Sequence, residues 1–394
     1  MNQRQNKFLD KLLSIPTAPF REQLVRDAVA GILGRRKVPF FEDPAGNLVI
    51  GFASLAAYQR ELSRTAREPL RVLVAHMDHP GFHVLRWRTP KFLQVRWHGG
   101  SPHKHLAGSP VWLADRGGYA GQGSLTHVKM HRSGHFIETA EVRVDRPSLL
   151  RDVPAAELFG GFRFRAPVWR SGKRIYTKAA DDLVGVFAVV ETAVALFRKG
   201  APRRPFVGLL TRGEEVGFVG AIAHLERKWL QKARRPVVFV SLETSRALDG
   251  ARIGKGPVVR LGDRRTVYDA GALQVLADVA RRVLPGRHQK RIMDGGACEA
   301  AAATLWGVPS VGISVPLGNY HNQGIEGGPD CRGVDGPAPE MVHEDDVAGL
   351  LALCKGLLAK DLGWHRPWTG AQQNLRKNYR GYRKYLQYPR FPEK

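Results

Sequence analysis

The sequence predicts an α/β protein in which a mostly parallel sheet, flanked by helices, carries an inserted small β-barrel. Three observations lead there. Apolar strands alternate with helical segments in two blocks, residues 1–82 and 172–360, as in parallel α/β sheets. From 83 to 171 the pattern changes to short alternating segments broken by Gly and Pro, the mark of a small barrel. Acidic residues or histidines stand at the ends of the apolar strands, where open α/β sheets bind their ligands.

In chain order, a helix at 7–14 is closed by Ile15-Pro16, and a second helix spans 21–35. Residues 40–51 form a pair of strands around the turn Asp43-Pro-Ala-Gly-Asn47. The run 71–75 (Arg-Val-Leu-Val-Ala) is a buried strand. Inside the insertion, 92–97, 111–114, 124–130, 136–144 and 161–169 read as strands, punctuated by Gly99-Gly100, Arg116-Gly-Gly118 and the glycines at 121 and 123. Alternation then resumes: helix 182–198, strand 206–210, helix 221–231, strand 237–242, helix 272–283, strand 310–315 and helix 344–358. Glu344, Asp345 and Asp346 face the positive N-terminal end of that last helix. Residues 361–394 make a basic, aromatic-rich tail.

Composition narrows the function classes. The 394 residues are 43% hydrophobic and 25% charged, an ordinary globular balance, and no apolar run approaches the ~20 residues of a membrane span. The first residues, Met1 to Lys7, lack the apolar stretch of a signal peptide. The three cysteines, Cys298, Cys331 and Cys354, make no CxxC pair and no even-numbered framework. A cytoplasmic location is expected. The net charge is +25, and the tail from Asp361, with eight Lys/Arg against two Asp/Glu, holds only a small part of it. A charge so spread out favours a solvated basic surface over a dedicated nucleic-acid site, which is kept as the less favoured partner.

The strand ends carry the chemistry. His76 and Asp78 follow strand 71–75, Glu214 and Glu215 follow 206–211, Glu243 follows 237–242, and His321 lies in the loop after 310–315. Asp181 and Asp182 precede a helix whose N-terminus faces the same side. Imidazole nitrogens and carboxylate oxygens are what zinc takes, and two such ions can clamp an attacking water and a carbonyl oxygen together. His76, Asp181, Glu215, Glu243 and His321 supply enough donors for two divalent ions, zinc first, with cobalt or manganese as alternatives. Glu214 is then left to take the proton of the attacking water, and Asp78 to accept the His76 ring N–H and fix its tautomer. Asp182 reads as a charge at a helix N-terminus. The insertion's histidines (His98, His103, His105, His127, His131 and His135) fit no closed zinc spacing, and Cys298 is not needed as a nucleophile.

This pattern resembles the tetrahedral (TET) aminopeptidases, the glutamyl and deblocking aminopeptidases among the co-catalytic dizinc exopeptidases. The resemblance rests on Leu12-Leu-Ser-Ile-Pro-Thr-Ala-Pro19, Asp43-Pro-Ala-Gly-Asn-Leu48 and His76-Met-Asp78. It continues through Lys178-Ala-Ala-Asp-Asp182, Glu214-Glu-Val-Gly217, Ser241-Leu-Glu243 and Tyr320-His-Asn322. It implies one metal on His76, Asp181 and Glu243, and a second on Asp181, Glu215 and His321. Glu214 becomes the general base, and Asp78 joins it as a catalytic residue. The implied activity is hydrolysis of the N-terminal peptide bond of small peptides through a hydroxide held between the metals. The implied assembly is a homo-oligomer built through the β insertion. Departures mark a divergent branch. Leu183 stands where the family has Arg, His79-Pro80 follows the first motif, and Gly296-Ala-Cys-Glu-Ala300 replaces Gly-Gly-Thr-Asp-Ala. Glu243 stands for an Asp. A deacylase or carboxypeptidase of the same clan would keep every ligand and cleave another bond. A non-catalytic polyanion-binding protein is the remaining alternative.

Overall fold

The computed structural model describes residues 1–198 and 205–387. Helix α1 (Gln3–Ser14) starts under a capping box: the Asn2 side chain accepts the Gln5 N–H, and the Gln5 side chain accepts the Asn2 N–H. Helix α2 (Gln23–Arg35) follows, then the hairpin β1 (Phe40–Glu42) and β2 (Leu48–Ile50), short α3 (Leu55–Leu62) and β3 (Leu70–His76).

The barrel comes next: β4 (Gly81–Thr89), β5 (Phe92–His98), β6 (Pro110–Asp115), β7 (Gly118–Met130), β8 (Ile137–Val144) and β9 (Phe159–Phe162). They close in the order β4-β5-β8-β7-β6-β9 around a separate core that includes Phe82, Val95, Trp97, Leu113, Leu125 and Phe162. Closure leaves no exposed edge, which a Gly-rich antiparallel module otherwise has to protect.

After the barrel run β10 (Val168–Ser171), β11 (Arg174–Thr177), α4 (Leu183–Phe197), β12 (Phe206–Thr211), α5 (Val219–Glu226) and β13 (Val237–Arg246). The chain ends with β14 (Val258–Asp263), α6 (Ala270–Val283), β15 (Gln289–Met293), α7 (Glu299–Leu305), β16 (Ser310–Leu317), β17 (Glu340–His343), α8 (Glu344–Leu357) and α9 (Thr369–Tyr382).

The main sheet has eight strands in the order β1-β2-β12-β3-β13-β16-β14-β15. Its centre, β12-β3-β13-β16, is parallel, and antiparallel pairing is confined to its flanks, at β1–β2, β2–β12 and β16–β14. The central strands are predominantly apolar and buried because both of their faces are covered. On one face, α1, α2, α4, α6 and α8 form the larger core; α4 is buried almost all round, and Phe8 of α1 meets Phe187 at 5.7 Å. On the other face, α3, α5 and α7 pack on Val72, Val74, Val207 and Phe239.

The architecture is the expected one, with local corrections. The expected strand 161–169 is two strands in two sheets. After β9 the chain leaves the barrel, and β10 pairs with β11, which pairs in turn with β17. Pro167 has no N–H for a ladder, and the Arg165 N–H goes to Asp330 instead, so pairing breaks there. Strand 237–242 runs on to Arg246, because the polar residues from Glu243 stay in register with β16 (Glu243 opposite Ser314). Helix 221–231 is the shorter α5, stopped where Lys228 turns to a positive φ of 57°. Strands β4, β11, β14, β15 and β17 and helices α3, α7 and α9 were not among the expected elements. Every described side chain of α9 is exposed. No helix among the described residues is long and apolar enough to cross a membrane.

Candidate metal centre

Four elements bring the chosen residues to the carboxyl ends of the parallel strands. His76 is the last residue of β3, and Glu243 sits in the outer part of β13. After β12 the chain reverses through Gly213 (φ 60°) into a single turn, Glu214–Val216, which Gly217 (φ 111°) closes. A side chain at 213 would be strained by that φ and would meet Phe20 at 2.7 Å, so only Gly lets both glutamates face the sheet. The Glu214 and Glu215 N–H groups donate to the two carboxylate oxygens of buried Asp78, at 3.0 and 3.1 Å. Asp78 thereby holds the turn.

Asp78 also orients His76, chiefly through its backbone. The His76 Nδ1 lies 3.1 Å from the Asp78 carbonyl oxygen and 3.6 Å from its carboxylate. A carbonyl can only accept, so Nδ1 carries the proton and Nε2 offers its lone pair to the cluster. Asp181 faces both histidines: Oδ1 is 3.4 Å from His76 Nε2 and Oδ2 is 3.8 Å from His321 Nε2. Glu215 comes to 3.1 Å from His321 Nε2, and Glu214 to 3.8 Å from His76 Nε2. Ligand atoms of His76, Asp181 and Glu215 lie within 4.8 Å of one another, as do those of His76, Glu214 and Glu243. Asp182 turns away, capping α4 through the Gly185 N–H at 3.1 Å and accepting the Thr244 hydroxyl at 3.0 Å.

Buried polar atoms normally have partners. Here His76 Nε2, Asp181 Oδ1, Glu215 Oε1, Glu243 Oε1 and His321 Nε2 are buried and make no directed hydrogen bond within the chain. Their residues lie in two triads that share His76, one with Asp181 and Glu215 and one with Glu214 and Glu243, and His321 adjoins the first through Glu215 and Asp181. Imidazole nitrogens and carboxylate oxygens grouped in this way are donors of the kind divalent cations take. Electrostatics agree. Burial pushes Glu214 well above the carboxylate range, reinforced by the charges of Glu243, Glu215 and Glu299 and opposed by His76. Glu243 is pushed up to about 8 by burial and Asp181, and Glu215 is raised chiefly by burial. Burial alone would lower His76, yet the surrounding Glu214, Asp181 and Asp78 raise it. So much clustered negative charge takes up protons or a cation.

Three groups that sequence reasoning missed support this cluster. Buried Glu340 accepts the Ala180 and Asp181 N–H groups (2.6 and 3.1 Å) on one oxygen and the His321 N–H (3.0 Å) on the other. One carboxylate thus sets the backbone under both Asp181 and His321. Only an acidic residue ahead of Met341-Val342 signalled it, nineteen positions past His321. His79 lies 2.7 Å from the Asp181 carbonyl and 3.1 Å from the Asn322 side-chain oxygen, with burial pushing its ring down to about 4. Asn319 accepts the N–H groups of Ile325, Glu326 and Gly327 and donates to two carbonyls. That network holds Asn319, His321 and Asn322 at φ values of 54°, 56° and 59°, which are costly outside Gly. Elsewhere Cys298 is fully buried, and burial pushes its thiol up to about 11. The insertion's histidines belong to no cation-sized cluster among the described residues.

A helix-flanked parallel sheet with a barrel insert and a histidine–carboxylate cluster at its strand ends is the arrangement of a metal-dependent exopeptidase. The profile described as M42 glutamyl aminopeptidase matches residues 59–325. The chain belongs to that family, whose members are metal-dependent exopeptidases. A search of curated protein sequences finds no match. Among solved structures the fold is similar to aminopeptidase APDkam598 from Desulfurococcus kamchatkensis (20% identity, TM-score 0.70, covering 92% of this chain and 97% of that one). It is similar also to the TET1 peptidase of Pyrococcus horikoshii, which can assemble into a tetrahedron or a large octahedral shell (19%, 0.68, 90% and 99%). A third is the TET aminopeptidase from Thaumarchaeota archaeon SCGC AB-539-E09 (18%, 0.69, 91% and 98%).

Proposed function

We propose that this chain is an aminopeptidase that holds two divalent cations, zinc first, and cleaves the N-terminal bond of small peptides. The observation that carries the reading is the set of five orphaned donor atoms on residues of two cation-sized triads sharing His76 and of the adjoining His321. His76, Asp181 and Glu243 would hold one ion, and Asp181, Glu215 and His321 the other. When bound, such ions polarise the scissile carbonyl and acidify water. Glu214 would take a proton from that water and return it to the leaving amine, a role suited to a carboxylate whose basicity burial raises. Asp78 keeps His76 and the Glu214–Glu215 turn in place. We further propose 1–82 and 172–360 as the catalytic unit, 83–171 as an insertion serving assembly and substrate access, and the chain as a homo-oligomer.

Elemental analysis of the purified protein, paired with hydrolysis of aminoacyl-anilides with and without chelator, tests this. About two equivalents of metal and chelator-sensitive release of the aniline are expected. Metal with turnover only on N-acyl or C-terminal substrates would establish the deacylase or carboxypeptidase instead.

Arg260 supports a preference for acidic N-terminal residues. It is buried, it lines a small cavity beside Glu243 with Ser245, Arg246 and Tyr320, and it forms no ion pair among the described residues. Its Nη1 donates to Ser245 Oγ at 3.2 Å, and its Nε has no partner. Nearby Asp263 is already occupied by the Tyr268 hydroxyl and the Arg265, Thr266 and Cys298 N–H groups. The charges of Glu243 and Asp263 favour its guanidinium form, and its unpartnered Nε–H would be free to donate to a substrate carboxylate. Arg260→Met is expected to lower kcat/KM on glutamyl-anilide by about 10- to 150-fold, the worth of a charged hydrogen bond, with little change on alanyl-anilide. Equal losses on both substrates would remove Arg260 from specificity.

A further inference from the structure

We propose that Gly100, in the barrel loop after β5, is a positioning residue for His321, so that the inserted barrel sets the second cation subsite. The inference rests on reading His321 as a cation ligand. Gly100 abuts the His321 imidazole. A Cβ built on it would come within 2.0 Å of His321 Nδ1, 2.8 Å of Cε1 and 3.0 Å of Cγ. Gly100 is not in the left-handed region, so its backbone conformation admits a side chain. The imidazole excludes one.

The loop cannot simply retreat. The Gly100 carbonyl accepts the Trp97 indole N–H at 3.0 Å, and the Ser101 hydroxyl accepts the Ile137 N–H at 2.8 Å, fixing the loop to the barrel wall. On its far side, the His103 and Lys104 N–H groups both donate to the Asp335 carbonyl at 3.1 Å. Asp335 lies in the loop that follows His321, and its carboxylate also takes Lys104 Nζ at 2.9 Å. The same loop ties to the barrel's exit through the Asp330–Arg165 pair. The His321 ring meets Tyr320 at 3.7 Å, and its backbone N–H is held by Glu340. An imidazole gripped in this way has one orientation, and the barrel supplies one wall of the grip.

The test is a Co²⁺ titration of the metal-stripped full-length protein, read by visible absorption and calorimetry, on wild type, Gly100→Ala, His321→Ala and Gly121→Ala. Gly121 is a barrel glycine whose added Cβ makes only ordinary contact with Leu150 at 3.5 Å. Gly100→Ala is expected to bind the first equivalent as wild type does and the second at least about tenfold more weakly, as losses of supporting groups around metal ligands do. His321→Ala should reproduce that loss, and Gly121→Ala should not. A normal second equivalent in Gly100→Ala, beside a weakened one in His321→Ala, overturns the proposal. A normal second equivalent in His321→Ala sinks the ligand reading itself. Melting of Gly100→Ala in the two backgrounds covers the case of poor folding. If the alanine acts through the imidazole, its destabilisation shrinks when His321 is already Ala. An equal loss in both backgrounds overturns the proposal.

Discussion

Glu214→Gln is expected to lower kcat by about three orders of magnitude, within the range for loss of a general acid–base group, while the protein keeps about two equivalents of metal. The structure makes this a sharp experiment, because Glu214 lies close enough to His76 and Glu243 to act as a ligand. Three facts favour the base. The five orphaned donor atoms already suffice for two ions without Glu214. Burial raises Glu214 above the ordinary carboxylate range, the direction that makes a carboxylate a stronger base. Its backbone, with that of Glu215, is pinned by Asp78, so the side chain is aimed rather than mobile. An amide at 214 keeps shape and hydrogen bonding but cannot take a proton. Metal analysis by emission spectroscopy, with turnover on the best anilide, decides the matter. Loss of one metal equivalent would make Glu214 a ligand and leave the base unassigned.

Much of this site was legible in the sequence because each chosen residue ends or follows a buried Val/Leu run, and strand ends in a parallel sheet converge. His76, Glu215 and Glu243 are of that kind. Asp181 was reached through the helix that follows it, and His321 through the loop that follows strand 310–315. The barrel was legible from Gly placement, although its first strand, β4, was not, and its last was drawn too long, since Phe162, Phe164, Ala166 and Val168 alternate as if the ladder continued past Pro167. What stayed hidden acts through the backbone or at long range. Glu340 accepts main-chain N–H groups, which leave no pattern in side-chain types. Arg260 is a charged residue inside a strand that periodicity did not reveal. Gly100 reads as a loop glycine until the imidazole beside it is seen.

Asp181→Asn is expected to weaken both metal equivalents by at least about a hundredfold, the upper end of what supporting groups cost, where His321→Ala weakens one. His76 also faces both halves of the cluster. It cannot be the bridge, because one imidazole nitrogen serves one ion, whereas the Asp181 carboxylate turns one oxygen to each histidine. Calorimetric zinc titration separates the cases, and retention of one tight equivalent in Asp181→Asn would refute the bridge. At the alkaline end, the same variant should stabilise the metal-stripped protein, because the Asp181 charge raises Glu243, Glu215 and Glu340; toward acid its attraction for the His76 and His321 imidazoliums opposes this. The sign follows from linkage. An acid whose folded pKa is raised keeps its proton in the folded state. Its stabilisation is complete below the unfolded value near 4.5 and is lost as pH rises through the folded value, about 8 for Glu243. Between pH 7 and 9 Lys178, pushed down to about 7 by burial, slopes the other way but is common to both proteins. Scanning calorimetry in chelator should therefore show a smaller loss of Tm across that window for Asp181→Asn, and a Tm higher than wild type by about 2 °C at pH 9. Zinc reverses the preference. Its ligands must be deprotonated, so its affinity for the wild type rises over the same window and its binding releases protons. A cluster that is costly without cations and favourable with them is what the proposed metal site predicts, since a site selected for binding gives up stability.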